Sequence, residues 1–326
     1  MFRFLTRVRA LALMAFMALM ASVAGVAHAA FPDHPIRMIV PFAPGGGADI
    51  TARVVADTLA KKLGQPVIVE NKAGAGGMIG AAAVARAEPD GYTLLYTTPG
   101  QQMTLPYLMK AMPYDPADLR PVSQVSLAPS VLVVNKKLGV KTVQELIDLA
   151  RKKPGELNFV SAGIGASSHL NGELLQILAG IRLEHIPYKG TGDAVKDLVG
   201  GNGDIAIDTV GIYTSFIKDG RLVPLGVTTP QELPLLPGVP PLSRTLPGYD
   251  ASPVNYITVP KATPDAIVQQ LAAALQATIA EPDVKQRMLE QGILAIANTP
   301  DQMADLLRKE QTRWREVIEK AHIPKQ

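Results

Sequence analysis

Residues 36–64 read IRMIVPFAPGGGADITARVVADTLAKKLG, and this stretch decides the fold. An apolar strand pattern leads through three glycines into an amphipathic helix pattern, and a second strand, a second glycine loop and a third strand follow up to residue 98. The same order returns at residues 157–210, from LNFVSAGIGASSHLNGELLQILAG to IAIDTV. Strands that alternate with helices predict parallel βαβ units. Two such units predict an α/β protein with two similar lobes.

The glycine loops that follow the first strand of each copy predict an anion site. Ligands of parallel sheets bind at the carboxyl ends of the strands, and a glycine loop at a helix start offers backbone N–H groups and the helix dipole. The first loop, 41–49, offers mainly backbone, whereas the second, 161–169, adds serine hydroxyls. If the lobes face each other, both loops line one cleft. For the first loop, the alternative is a tight turn in which Asp49 caps the helix.

Signatures of enzymes are missing from these loops. The first loop lacks the Lys-Ser or Lys-Thr pair of a Walker A motif, and loop 71–80 places its third glycine one position late for dinucleotide binding. There is no G-x-S-x-G elbow, so His169 is expected to pack or cap rather than act as a base. Asp208 interrupts an apolar strand, either to contact a ligand or to hold the loops. The sequence predicts no catalytic residue, no cofactor and no metal site.

Residues 1–29 read as a secretory signal. Three arginines precede an apolar core at 11–27, and Ala27-His28-Ala29 is a cleavage motif, which predicts cleavage near Ala29/Ala30. The alternative is an N-terminal membrane anchor. Loss of these arginines cancels the formal charge of +3, so the mature chain has no general electrostatic basis for binding nucleic acid. The chain contains no cysteine, which excludes disulfides, thiol catalysis and thiolate metal sites.

Two segments outside the repeats predict connections between the lobes. The stretch between the copies ends in β-branched residues, and RLVPLGVTT follows the second copy, so hinge strands are expected near 122–134 and 221–229. Lobe 1 is then predicted to contain 30–125 and 228–326, and lobe 2 to contain 126–227. Thr-Pro-Asp occurs at Thr263 and at Thr299, and each predicts a helix with a threonine N-cap and proline at its first position.

Four runs of sequence resemble one known family: PIRMIVPFAPGGGADITARVVADTLAKKLGQPVIVENKAGAGG, EPDGYTLLYTT, PGELNFVSAGIGASSHLNGELL and HIPYKGTGDAVKDLVGG. In this order they resemble the Bug family, the periplasmic receptors of tripartite tricarboxylate transporters. The resemblance implies a type II-like, two-lobed periplasmic-binding-protein fold, in which each lobe is a mostly parallel sheet flanked by helices. It also implies a monomer that closes on a small di- or tricarboxylate or aromatic acid and delivers it to a two-subunit membrane permease.

The resemblance also implies which residues contact the ligand. Together with residues at the ends of the lobe 1 strands, the predicted set is Phe42, Pro44, Gly45, Gly46, Gly47, Asp49, Thr98, Gln101, Ser161, Gly163, Gly165, Ser167, Ser168 and Asp208. The segments TPGQQMTLPYL and VNYITVPKATP depart from the family pattern, so the identity of the ligand is not inherited. Two alternatives stay open: a binding protein that serves a membrane sensor kinase, and an α/β enzyme acting on a small acid or nucleotide.

Overall fold

The computed structural model describes residues 31–326, so the predicted signal peptide lies outside the described residues. Pro35–Gln326 form one unit that contains two β-sheets. The strands are β1 (Ile36–Val40), β2 (Val67–Asn71), β3 (Thr93–Thr97), β4 (Leu119–Leu127), β5 (Ser130–Asn135), β6 (Asn158–Ser161), β7 (Glu184–Pro187), β8 (Ile205–Thr209), β9 (Leu222–Val227), β10 (Val254–Pro260) and β11 (Leu294–Ala295).

Nine helices of eight residues or more lie within the described part of the chain. They are α1 (Gly47–Leu63), α2 (Met78–Ala85), α3 (Val143–Lys152), α4 (Ser167–Ala179), α5 (Thr191–Gly200), α6 (Val210–Lys218), α7 (Asp265–Ala280), α8 (Pro282–Leu289) and α9 (Pro300–Lys320). A π-helical turn at Gly100–Thr104 runs into the short helix Leu105–Leu108. In the part of the chain that the structure describes, no helix combines the length and the hydropathy needed to cross a membrane.

The strand order is β11-β4-β10-β3-β1-β2 in the first sheet and β7-β6-β8-β5-β9 in the second. We call the parts built around these sheets lobe 1 and lobe 2. Strands of the repeats pair in parallel, β1 with β2 and β3 and β6 with β7 and β8. The exact lobe boundaries given above stay a prediction.

The expectation of mostly parallel sheets is wrong, because both sheets are mixed. Strand β5 pairs antiparallel with β8 and β9, and β10 pairs antiparallel with β3 and β4. The cause is the route of the chain. Strands β5 and β10 each arrive from the other lobe and enter their sheet at the end where the repeat strands finish. From there each must run back, antiparallel to the repeat strands. Ser130 thus lies opposite Thr209, the last residue of β8.

The repeats bury apolar residues along their strands and helices, but several large ones are exposed, including Ile68, Ile79 and Leu178. Helix α1 buries Val54, Val55 and Leu59 against its sheet, but Ile50 is exposed. In lobe 2, α4 lies so close to β6 that a Cβ on Gly172 would stand 2.2 Å from the ring of Phe159. Only glycine permits this approach, which places the first turn of α4 directly beyond the end of β6.

The two Thr-Pro-Asp motifs differ in the structure. Thr299 caps α9 in a full capping box with Gln302, and Pro300 is the first helical residue, as predicted. Helix α7 instead begins at Asp265 with Pro264 at the N-cap, and the buried Thr263 hydroxyl has no hydrogen-bond partner in the described structure. The prediction of a threonine cap is therefore wrong for α7.

Candidate functional site

The loops at the carboxyl ends of the repeat strands face one another across a cleft of about 950 Å³. From lobe 1 it is lined by the loop before α1 and by residues that follow β3, and from lobe 2 by the loop before α4 and the end of β8. The N-terminal residues of α1, Gly46 and Gly47, and those of α4, Ala166 and Ser167, belong to this lining. Two helix N-termini, one from each lobe, therefore reach the same space.

The first glycine loop is held from behind by Asp49. This carboxylate is buried, and it accepts hydrogen bonds from the Gly45 N–H at 2.9 Å, from the Asn71 Nδ2 at 2.9 Å and from Arg53, whose Nε lies 3.1 Å from both oxygens. The hydrogen bond from Arg53, more than the others, lowers the pKa of Asp49 to about 2, against the opposing effect of burial. The Asp49 carboxylate is thus engaged in hydrogen bonds from other groups of the protein. The α1 N-cap, Gly46, has no side-chain cap, which leaves the first N–H groups of the helix open.

Strand β3 of lobe 1 is followed by a similar pair of residues, of which Thr98 lines the cleft and Gln101 supports it from behind. Thr98 lines the cleft, and its N–H and hydroxyl donate to the Gln101 Oε1 at 2.7 Å and 2.9 Å. The other end of this buried amide donates to the Gly76 carbonyl at 3.2 Å. Gln101 therefore joins two loops of lobe 1 from behind the cleft surface.

The loop at 161–169 in lobe 2, which we call the serine loop, places its three serine hydroxyls in different surroundings. Ser167 is exposed in the cleft, and its hydroxyl makes no hydrogen bond within the described structure. The Ser168 Oγ, although it reaches the lining, accepts from the Ala162 N–H at 3.0 Å. Ser161 is buried, and its Oγ accepts from the Gly163 N–H at 3.1 Å and contacts the His185 Nε2 at 2.7 Å.

Three stacked rings, Phe159, His185 and His169, support the serine loop, and we call them the histidine stack. The ring centroids of Phe159 and His185 are 4.7 Å apart, and those of His185 and His169 are 3.9 Å apart. The His169 Nδ1 accepts from the Gly165 N–H at 3.0 Å, so this residue packs and caps as expected. Burial, with a smaller contribution from His169, lowers the pKa of His185 to about 4. At neutral pH the His185 imidazole thus holds the loop in its neutral form.

Asp208 lies at the cleft end of β8 and is the only charged side chain among the described lining residues. Its Oδ1 accepts from the Thr209 N–H at 2.8 Å, and its Oδ2 accepts from the Thr191 hydroxyl at 3.0 Å. Burial raises the pKa of Asp208, while these hydrogen bonds act in the opposite direction. Both possibilities left open by the sequence are therefore visible in the geometry, since Asp208 holds two threonines and also faces the cleft.

The structure places the predicted site residues in two groups. The first group lines the cleft: Phe42, Gly46, Gly47, Thr98, Gly165, Ser167, Ser168 and Asp208. The second group is absent from the lining, either buried behind it or elsewhere in the loops: Pro44, Gly45, Asp49, Gln101, Ser161 and Gly163. Direct ligand contact by the side chains of Asp49, Gln101 and Ser161 stays a prediction, and in the structure these side chains hydrogen-bond groups of the loops.

Several apolar lining residues were missed by the sequence analysis, namely Met78, Leu105, Met109, Ile164 and Ile293. Ile164 carried a local signal in the sequence, because it is an apolar residue within a loop of glycines and serines, and in the structure it is 49% exposed. The others come from elements distant in sequence, and only the tertiary fold brings them together. In residues 31–326 no group of three or more histidine, aspartate or glutamate side chains is arranged to hold a metal ion.

Two α/β lobes with an intervening cleft, lined by a helix N-terminus from each, define the class of two-lobed solute-binding proteins. Within this class, the family model described as tripartite tricarboxylate transporter family receptor matches residues 51–323. The chain belongs to this family, a family of solute-binding receptors. The resemblance drawn from the sequence runs is thereby confirmed.

Relatives and solved structures agree with this assignment. BugT of Bordetella pertussis is 38% identical over 291 residues, which cover 88% of this chain and 89% of BugT. An R. palustris protein solved with adipate has a TM-score of 0.76 and 32% identity over 91% of this chain and 100% of its own. MatC of Rhodopseudomonas palustris, solved with bound malate, has a TM-score of 0.71 and 31% identity over 88% of this chain and 100% of its own. The two-lobed α/β fold is confirmed.

Proposed function

We propose that the protein is a periplasmic receptor that captures a small carboxylate between its lobes and delivers it to a two-subunit permease of a tripartite tricarboxylate-type transporter. One observation carries the proposal: the open N-termini of α1 and α4 reach the same cleft from opposite lobes. The adipate and malate of the two solved relatives support a carboxylate as ligand. The signal sequence predicted for residues 1–29 supports export, and we propose that the mature receptor is a monomer.

A carboxylate suits the polar groups at these N-termini. The first N–H groups of α1 lack a side-chain cap, and the Ser167 hydroxyl has no other partner in the described structure. A hydrogen bond to a charged group contributes about 1.5–3 kcal/mol, and each helix dipole adds about 0.3–1 kcal/mol. A carboxylate that contacts both lobes gains all of these interactions only when the lobes are closed, so its binding shifts the hinge equilibrium toward closure.

The test is a panel of mono-, di- and tricarboxylates, including aromatic acids, measured by scanning fluorimetry and calorimetry. A ligand at about 100 times its Kd stabilises the folded state by about 2.7 kcal/mol, so at least one acid should raise the Tm by several degrees. Mass spectrometry of gently purified protein should show a retained acid of the same kind. A panel with neither a Tm shift nor heat of binding, or turnover of the bound acid, would refute the receptor function.

A further inference from the structure

Asn255 is a polar side chain at the edge of the first sheet that faces the cleft. Strand β10 runs antiparallel to β3, and Tyr256 lies opposite Thr97, the last residue of β3. Asn255 therefore lies one residue nearer the cleft, beside the positions where the repeat strands of lobe 1 end. It is half-buried and belongs to the cleft lining. Its amide is thus placed to contact whatever the cleft holds.

The amide nitrogen of Asn255 is directed at a network of neutral groups beneath the cleft surface. Its Nδ2 donates to the Oγ of Ser126, the residue opposite it on β4, at 3.0 Å. The Ser126 Oγ lies 3.5 Å from the hydroxyl of the buried Tyr96. Burial raises the pKa of Tyr96 to about 12, while the side chains of Ser126, Thr51 and Asn255 act in the opposite direction. The tyrosine is therefore neutral at physiological pH, and the donor side of the Asn255 amide is engaged by the protein.

The acceptor side of the same amide is open. Within the part of the chain that the structure describes, no group donates to the Asn255 Oδ1. Water satisfies such an oxygen in a solvent-filled cleft, but a ligand that displaces this water must replace its hydrogen bond or lose affinity. A site that hydrogen-bonds a ligand hydroxyl rejects the analogue without it far more strongly than an apolar pocket rejects a missing methylene, because the polar group of the site is left unpaired. The Asn255 Oδ1 therefore favours a ligand that brings a donor.

The same network relates Asn255 to the N-terminus of α1. Thr51, which acts on the Tyr96 hydroxyl from the other side, also lines the cleft and donates its own hydroxyl to the Gly47 carbonyl at 2.8 Å. Gly47 is the first residue of α1, and Thr51 stands one helical turn, about 5.4 Å, further along. A donor that reaches Asn255 is therefore carried on a carbon close to the carboxylate that the α1 N-terminus receives.

We propose, resting on the receptor function above, that Asn255 is a specificity-determining residue whose Oδ1 accepts a hydroxyl group of the bound acid. The receptor then prefers a hydroxy acid to the deoxy acid with the same carbon skeleton, whatever the number of carboxylates in the ligand. A hydroxyl fits better than an ammonium group, because the groups around the amide, Ser126, Tyr96 and Thr51, are neutral and supply no counter-charge.

The experiment compares acids that differ only in one hydroxyl, measured by calorimetry at neutral pH on the mature protein. The series are butyrate with 2- and 3-hydroxybutyrate, succinate with malate, and glutarate with 2- and 3-hydroxyglutarate. In the series that binds best, one hydroxy acid should bind about tenfold or more tightly than its deoxy acid. Its methyl ether, which cannot donate, should bind no more tightly than the deoxy acid. Deoxy acids or ethers that bind as tightly as the hydroxy acids would overturn the proposal and leave the receptor function intact, whereas failure of every acid to bind would remove the receptor function itself.

Substitutions assign the preference to one side chain. Asn255→Leu keeps a similar volume without the acceptor, so the dissociation constants of the hydroxy acid and its deoxy acid should become about equal, and Asn255→Ala should act in the same way. Thr104→Val and Asp208→Asn change other polar groups of the lining, and the ratio of the two constants should survive both. Gln144→Leu removes an amide at an exposed position of α3 and should change neither constant. If the Asn255 variants weaken both acids equally, or if Asp208→Asn or Thr104→Val abolishes the preference instead, the proposal is wrong.

Discussion

At the residue scale, Ser167 and Ser168 are neighbours in sequence whose hydroxyls meet different surroundings. Ser167 points into the cleft without a protein partner in the described structure, whereas the Ser168 Oγ accepts the Ala162 N–H at 3.0 Å. Removing an unpartnered hydroxyl leaves folding unchanged and removes one interaction with the ligand. Removing the Ser168 hydroxyl leaves a donor of the loop unpaired. Substitution of each serine in turn therefore separates an effect on ligand binding from an effect on the stability of the fold.

We predict that Ser167→Ala weakens carboxylate binding roughly tenfold to a hundredfold, as expected for a lost hydrogen bond to a charged group. Its Tm without ligand should equal that of the wild type. Ser168→Ala should lower the Tm as well as the affinity. Calorimetry and scanning fluorimetry of both variants check this, with Ser215→Ala on the exposed side of α6 as the control. Unchanged affinity in Ser167→Ala would show that its hydroxyl does not contact the ligand.

Asp49 gives a second prediction at the same scale. Asp49→Asn should lower the free energy of unfolding by about 1–3 kcal/mol, because the ionised carboxylate accepts from Gly45, Asn71 and Arg53. The pKa of Asp49 is lowered to about 2 in the folded protein, so this contribution is complete above the unfolded value of about 3.9 and is lost as the pH falls toward 2.

Urea unfolding at several pH values tests the Asp49 prediction. The difference between the wild type and Asp49→Asn should be constant near neutral pH and shrink in acid. Asp57→Asn changes the same charge on an exposed side of α1, where Asp57 lies 3.6 Å from Arg287, and should cost less than about 1 kcal/mol. Equal losses in both variants would mean that Asp49 does not organise the loop.

At the element scale, the histidine stack supports the serine loop, and the titration of His185 makes the stability of the folded protein depend on pH. In the unfolded chain the pKa of this histidine is about 6.5. In the folded protein the pKa of His185 is lowered to about 4, mainly because of burial. Between these values the unfolded state binds more protons, so stability rises with pH. We therefore predict that the Tm falls as the pH is lowered from about 6.5 to about 4.

The variant His185→Phe isolates this contribution, because it keeps an aromatic ring against Phe159 and cannot take up a proton. Its Tm should fall less steeply over the same pH range than that of the wild type. His322→Gln replaces an exposed histidine near the end of the chain and should leave the slope unchanged. Scanning fluorimetry across the pH range measures all three proteins, and identical slopes for the wild type and His185→Phe would contradict the assignment.

The same elements show how far the sequence could be interpreted. The spacing of apolar residues and the glycine loops were enough to place the repeat strands, the helices after them and the cleft-facing N-termini of α1 and α4. These features depend on residues that are neighbours in the sequence. The roles of Asp49 and Ser161 could not be read in this way. Their side chains face Arg53 and His185, and which partner a polar side chain meets is set by how strands pair. The direction of β5 depended likewise on where the chain enters the second sheet.

At the scale of the whole molecule, the two lobes share a core as well as a cleft. Buried residues of lobe 2, such as Leu132 and Leu170, belong to the same apolar cluster as Tyr256 of β10 and Trp314 of α9. The Tyr249 hydroxyl, in the chain segment between β9 and β10, donates to the Asn171 carbonyl of α4 at 2.8 Å. Helix α9 thus packs against α4 in this cluster, and the closure proposed above should change this contact.

Trp314 makes this contact measurable, because it is the sole tryptophan of the chain. Its buried indole borders a small gap that is also lined by Ser167 and Leu170 of α4. Closure of the lobes on a carboxylate should change the polarity around the indole, so we predict a saturable change in intrinsic fluorescence whose midpoint equals the calorimetric Kd. Trp314→Phe should abolish the signal while the acid still binds. An acid that releases heat but leaves the emission of Trp314 unchanged would show that binding does not move α9 against α4, and the hinge mechanism would then be wrong.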